Sequence, residues 1–185
     1  MSIPQKDQRY TYADYCTWDD SERWELIEGV PYAMAPAPTQ AHQEASMNLG
    51  WKLRNFLEGK PCKVFAAPFD VRFSPTDKDD IVVQPDLLVV CDSSKLDGNC
   101  CNGAPDLVIE ILSPSSAQRD CILKLELYQR FGVREYWIID PQAKILQTYI
   151  LKNGQYSVTG YLAAATVPIA VLPDCVIDLK EVFSQ

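Results

Sequence analysis

The sequence predicts an α/β fold of the α+β type, a sandwich with a mixed sheet formed by one domain over residues 1–185. Three observations predict it. Short apolar runs bounded by Asp, Ser, Asn and Gly recur between residues 64 and 162. Two segments carry the spacing of amphipathic helices. Nearly half of the 185 residues are apolar (47%), enough for a single buried core and too many for a disordered chain.

The elements follow in order. Thr11-Tyr12-Ala13-Asp14 has the spacing of a capping box and predicts a short opening helix. Residues 24–30 read as strand and turn and continue through 31–34, an N-terminal hairpin. Pro36 and Pro38 break the chain, and Thr39 can cap a helix over 40–57, in which His42, Ala45, Leu49, Leu53 and Phe56 form one stripe. Strands are predicted over 64–73, 82–90 and 107–112. A second helix over 117–131 stops at Gly132. Residues 135–141 form a buried strand. Asn153-Gly154 turns a C-terminal hairpin between 145–151 and 155–162, and the apolar tail over 170–183 packs back on the domain.

Composition narrows the function. No apolar run reaches the roughly 18 residues of a membrane span, and the first residues lack the apolar core of a signal peptide, so a cytoplasmic location is expected. Seven cysteines without a CxxC pair, and one histidine, offer neither a disulfide framework nor a zinc site. Cys91, Cys121 and Cys175 read as small core residues, and Cys100-Cys101 as a loop. A net charge of -8 argues against a broad basic surface for nucleic acid. No GxSxG, P-loop or dinucleotide motif is present.

The chemistry-bearing residues lie mid-chain. Asp86 and Glu110 fall inside apolar runs, where a carboxylate is costly unless paired or bound to a metal. Alternation puts Asp106, Val108 and Glu110 on one strand face, and Gln84, Asp86 and Leu88 on one face of the preceding strand. If the two strands are neighbours, Asp86 and Glu110 converge on an oxygen-lined site suited to Mg²⁺, with Mn²⁺ as substitute. Equally, Asp86 could end a strand and Glu110 could take a buried ion pair. Lys124 shares a helical stripe with Asp120, Leu127, Tyr128 and Phe131, so it either snorkels out to solvent, meets an anion on that face or pairs with Asp120. His42, on the inward stripe of its helix, is a candidate phosphate contact or proton carrier, or else a core histidine. Glu25 and Glu28 are weaker candidates for acids behind the site. Ser113, Ser115 and Ser116 are read as helix-capping residues, or else as lining the mouth of the site.

Trp24-Glu25-Leu26-Ile27-Glu28-Gly29, Pro38-Thr39-Gln40-Ala41-His42, Gln84-Pro85-Asp86-Leu87, the string from Asp106 to Ser115, Asp120 with Lys124 and Tyr128, and the string from Gly132 to Pro141 together resemble the Uma family of restriction-endonuclease-like proteins, within the PD-(D/E)xK nuclease superfamily. The resemblance implies a restriction-endonuclease-like core, a central mixed sheet flanked by helices, with a divalent metal at its active edge. It implies that Asp86 and Glu110 are the metal ligands. Leu112 stands where the superfamily places its lysine, and Lys124 on the following helix is its counterpart in this family. The implied activity is Mg²⁺-dependent hydrolysis of DNA phosphodiesters, with Asp86, Glu110, Lys124 and His42 as catalytic residues. Two other readings stay open: a weak or inactive module that binds nucleic acid or protein, and an enzyme for a small phosphorylated substrate. A homodimer would suit cleavage of both strands of a duplex.

Overall fold

In the computed structural model, which describes residues 4–5, 7–18, 22–34, 37–74, 76, 78–113 and 122–183, the local signals at the N-terminus form as the sequence predicts. Thr11 and Asp14 close a capping box at the head of α1 (Tyr12–Tyr15). Glu28 and Gly29, with φ of 52° and 74°, turn the chain between β1 (Trp24–Ile27) and β2 (Val30–Ala33). Two successive positive φ values match the twist of a two-residue hairpin. Thr39 accepts the His42 amide and caps α2 (Gln40–Phe56), whose buried residues are His42, Ala45, Leu49 and Leu53.

Two of the three expected mid-chain strands divide. Residues 64–73 split into β3 (Lys63–Ala66) and β4 (Asp70–Arg72), separated by a cis Ala67-Pro68 bond. Residues 82–90 split at Pro85 into β5 (Val82–Val83) and β6 (Leu87–Val90). A proline has no N–H to give a ladder, so each strand changes sheet at its proline. Cys100 and Cys101, read from sequence as a loop, are buried in β7 (Cys100–Asn102), which pairs in parallel with β4. The third expected strand survives intact as β8 (Leu107–Ile111).

The described part of the second long helix is α3 (Lys124–Phe131), ended by Gly132 at φ 81°. The rest of that expected helix, with the capping serines Ser115 and Ser116, Arg119, Asp120 and Cys121, lies outside the described residues. Then come β9 (Glu135–Asp140), β10 (Ile145–Lys152) and β11 (Gln155–Leu162), with Asn153 and Gly154 at the turn. The tail forms β12 (Thr166–Pro168), β13 (Val176–Asp178) and α4 (Leu179–Val182).

A central six-stranded sheet runs β11-β10-β9-β8-β6-β3 and is mixed, because β8 and β9 are parallel while the other pairs are antiparallel. Alternation along its strands sorts two cores. Leu87, Leu107, Ile109, Ile111 and Trp137 face α2 and the C-terminal tail. Leu88, Val108, Tyr136 and Ile138 face α3 and a second sheet, ordered β2-β1-β5-β4-β7. That second sheet is absent from the sequence expectation. Its strands are two to four residues long, too short for period-two alternation to register. No described helix is long and apolar enough to cross a membrane.

The structure also pairs Cys62 with Cys91, where the sequence offered no disulfide and read Cys91 as a core residue. The register Lys63↔Val90 places residue 62 directly across from 91.

Glu135 begins β9 fully buried, accepting Trp137 Nε1 at 2.7 Å and the Val171 amide at 3.0 Å. Burial raises its carboxyl above the ordinary glutamate value, and the hydrogen bonds from Val171 and Trp137 offset only part of that. A raised folded-state pKa means stability present at low pH is lost as pH rises through it. Glu135→Gln keeps one acceptor oxygen and turns an amide N–H toward the other donor, so it should melt below the wild type. The deficit should be smaller at pH 7 than at acid pH; a deficit of the same size at both pH values would contradict this account.

Candidate functional site

β6 and β8 are adjacent, and the pair Leu87↔Ile109 carries Asp86 to the position across from Glu110. The two acids therefore meet at one end of the central sheet, as the spacing expected. Asp86 lies where the chain leaves the second sheet for the central one. Its Oδ2 accepts the Ile111 amide at 2.7 Å, and its Oδ1 stands 3.3 Å from His42 Nε2. His42 is delivered by the first turn of α2, fixed through the Thr39 cap.

Glu110 points toward α3. Lys124 and Tyr128, four residues apart on the buried stripe of that helix, reach it together. Lys124 Nζ lies 2.7 Å from Glu110 Oε1, and the Tyr128 hydroxyl donates to the same oxygen at 2.8 Å. Burial first, then the charge of Glu110, pushes the Tyr128 phenol well above its ordinary value, so it stays a donor.

Lys124 has a second anion. Glu25 Oε1 from β1 also lies 2.7 Å from Nζ, and Lys124 and Glu25 are 2% and 0% exposed. A lysine that far from water requires charge partners, and here two carboxylates supply them. Glu25 is held in turn by the Gln84 amide at 3.0 Å. The Gln84 side chain accepts Arg23 Nη2 at 2.8 Å and Nε at 3.0 Å, and donates to Asp70 Oδ1 at 2.8 Å and Tyr15 at 3.0 Å. Burial raises the Asp70 carboxyl above its usual range, against the lowering effect of its Gln84 and Tyr15 hydrogen bonds.

The structure thus brings together Asp86, Glu110, Lys124 and His42, and adds Glu25, Tyr128 and Gln84. Glu25 was the weaker candidate in the sequence; its signal was an acid at the centre of an apolar strand. Tyr128 was legible only as a stripe residue. Glu28 stands apart, in an exposed pair with Arg130. Asp106 shares the face of Glu110 but is bound by the Cys91 amide and Arg134. Three of the basic residues are engaged elsewhere: Lys52 pairs with Glu181, Arg72 with Asp79, and Lys60 lies over Phe56.

Among the described residues, no three His, Cys, Asp or Glu side chains converge as a metal-binding group. The donors Asp86 and Glu110, hard oxygens on facing strands, fit a divalent cation that completes its shell with water.

The sequence profile of the Uma2 family, described as "Putative restriction endonuclease", matches residues 11–180. An "Uncharacterized protein slr1290" of Synechocystis sp. is 24% identical over 155 residues, covering 82% of this chain and 80% of that protein. The fold is similar to the crystal structure of "a putative nuclease belonging to DUF820" from Anabaena variabilis, with a TM-score of 0.79 and 21% identity over 95% of this chain and 98% of that one.

Proposed function

Because the chain belongs to the Uma2 family, we propose that it is a Mg²⁺-dependent endonuclease that hydrolyses DNA phosphodiesters at the Asp86–Glu110 end of the central sheet. The observation that carries this reading is the convergence of Glu25 and Glu110 on Lys124, with Asp86 across the strand pair from Glu110. Asp86 and Glu110 would hold the metal, with Mn²⁺ as a substitute. When bound, the cation would polarise a phosphoryl oxygen and lower the pKa of a water.

The chain's own residues have separate tasks. Lys124 presents a fixed ammonium where negative charge develops on the phosphoryl group, and burial strengthens its effect. Glu25 and Tyr128 hold Lys124 and Glu110 in place, so neither has to reorganise during the reaction. His42, set on Asp86, keeps that carboxylate oriented and can carry a proton to or from the reacting group. Arg23, exposed just before β1 and steered by Gln84, offers a guanidinium to a flanking phosphate.

The test is calorimetric titration of Mg²⁺ and Mn²⁺ into the wild type, Asp86→Ala and Arg23→Ala, with a short DNA duplex assayed for cleavage. Metal binding should be lost in Asp86→Ala with its circular dichroism spectrum unchanged. Arg23→Ala should keep the metal and bind the duplex at least severalfold more weakly. Unaltered metal binding in Asp86→Ala would overturn the ligand assignment. One observation favours a second reading, a binding module without hydrolysis: Glu110 Oε1 is already engaged by both Lys124 and Tyr128. Metal uptake with intact DNA would select it, or an enzyme acting on a smaller phosphorylated substrate.

A further inference from the structure

The central sheet has two edges, and they are built differently. β3 is four residues long, carries the exposed Lys63, and adjoins the Cys62–Cys91 cross-link. Short length and an edge lysine are protections against pairing with another chain. β11 is eight residues long and contains no charged residue and no proline.

Its outward face can be read from the register. The Leu151 amide donates to Arg134 O, so the odd-numbered residues of β10 direct their N–H and C=O toward β9. Their partners across the hairpin, Tyr156, Val158, Gly160 and Leu162, therefore turn their backbone groups away from β10. Gln129 of α3 already accepts the Tyr156 amide at 2.8 Å. The Leu162 carbonyl accepts the Ala165 amide at 2.9 Å. Among the described residues, the amides of Val158, Gly160 and Leu162 and the carbonyls of Val158 and Gly160 have no partner on that side.

This segment is complementary to itself. An antiparallel copy related by a two-fold axis at Gly160 sets Gly160 against Gly160 and Val158 against Leu162, twice. Four hydrogen bonds then use backbone groups with no present partner, and two more share the Leu162 carbonyl. Val158 and Leu162 lie on one face of the strand and are 58% and 70% exposed, so they are outside both cores. The pairing would bury each against the other's equivalent. A side chain at residue 160 would have open space within the monomer, so intramolecular packing does not demand glycine there.

We propose that β11 is the homodimer interface of this protein, two copies joining their central sheets through residues 158–162 about a two-fold axis at Gly160. The occupant is a second copy of this chain because the strand meeting its own reverse matches both the apolar pairs and the vacant amides and carbonyls. The inference is independent of the endonuclease reading.

Analytical ultracentrifugation of the full chain across a concentration series tests it. The wild type should show a concentration-dependent dimer. Leu162→Lys and Gly160→Pro should each weaken it at least tenfold while the circular dichroism spectrum and melting temperature hold, because the Leu162 side chain is exposed and the Gly160 amide faces away from β10. Trp51→Lys, on an exposed position of α2, should leave the dimer intact. Hydrogen exchange at the amides of 158, 160 and 162 should slow as concentration rises. A monomer at every concentration, a dimer indifferent to Leu162→Lys, or unchanged exchange at those three amides in the dimer would each overturn the proposal.

Discussion

Glu110→Gln is expected to abolish divalent-metal uptake and to cut phosphodiester cleavage by about 100- to 1,000-fold, the scale of removing one electrostatic contact from a reacting centre. The substitution preserves side-chain volume and leaves an amide oxygen for Lys124 Nζ and the Tyr128 hydroxyl. What disappears is one negative charge from a buried group in which Glu25 and Glu110 share a single ammonium. Removing a buried charge lowers a desolvation cost. The metal-free variant should therefore melt at or above the wild-type temperature while its activity is lost. That combination separates a functional acid from a structural one. A fall of several degrees with metal binding intact would assign Glu110 to the fold alone.

Lys124→Met has the larger effect on stability. Methionine fills much of the same volume, but it leaves two carboxylates facing each other without their cation. Removing one member of a buried ion pair costs about 3–5 kcal/mol, because the remaining charge stays desolvated. For a chain of this size that corresponds to a fall of about 10 °C in melting temperature. Adding Glu25→Gln to Lys124→Met should recover a large part of the loss, since the two sites are coupled through one contact. Additive losses in the double variant would mean that the contact between Lys124 and Glu25 carries no energetic weight. Cleavage should be absent in both variants at temperatures where each is folded.

How far the site could be read before the structure depended on the range of the signals. Asp86 and Glu110 were legible because a charged residue within an apolar run is a local anomaly. Lys124 was legible for the same reason on a helix. The neighbouring of β6 and β8 and the antiparallel register that joins the acids are long-range facts, which the sequence supported only as a condition. Glu25 was undervalued because its meaning depends on a helix about a hundred residues later along the chain. The first two helices, the Gly132 stop of α3 and both hairpins followed from caps and turn residues, whereas α4 in the tail was read only as an apolar segment. The second sheet did not, since strands as short as Val82–Val83 leave no periodicity to detect. The runs over 64–73 and 82–90 were read as continuous because their apolar content continues past each proline, while the hydrogen-bond ladder does not.

The junction at Pro85 has a consequence for how this protein can vary. Gln84 ends one sheet and fixes Glu25 through its amide, while two residues later Asp86 opens the other and fixes the end of β8. The three residues act as a ruler between the layers. Loops such as the one before β8 can lengthen or shorten without moving the acids relative to each other. A single residue inserted or removed between Gln84 and Asp86 would reverse the facing of one anchor and slide both sheets out of step. Length at this point, more than side-chain identity, is what the arrangement cannot give up.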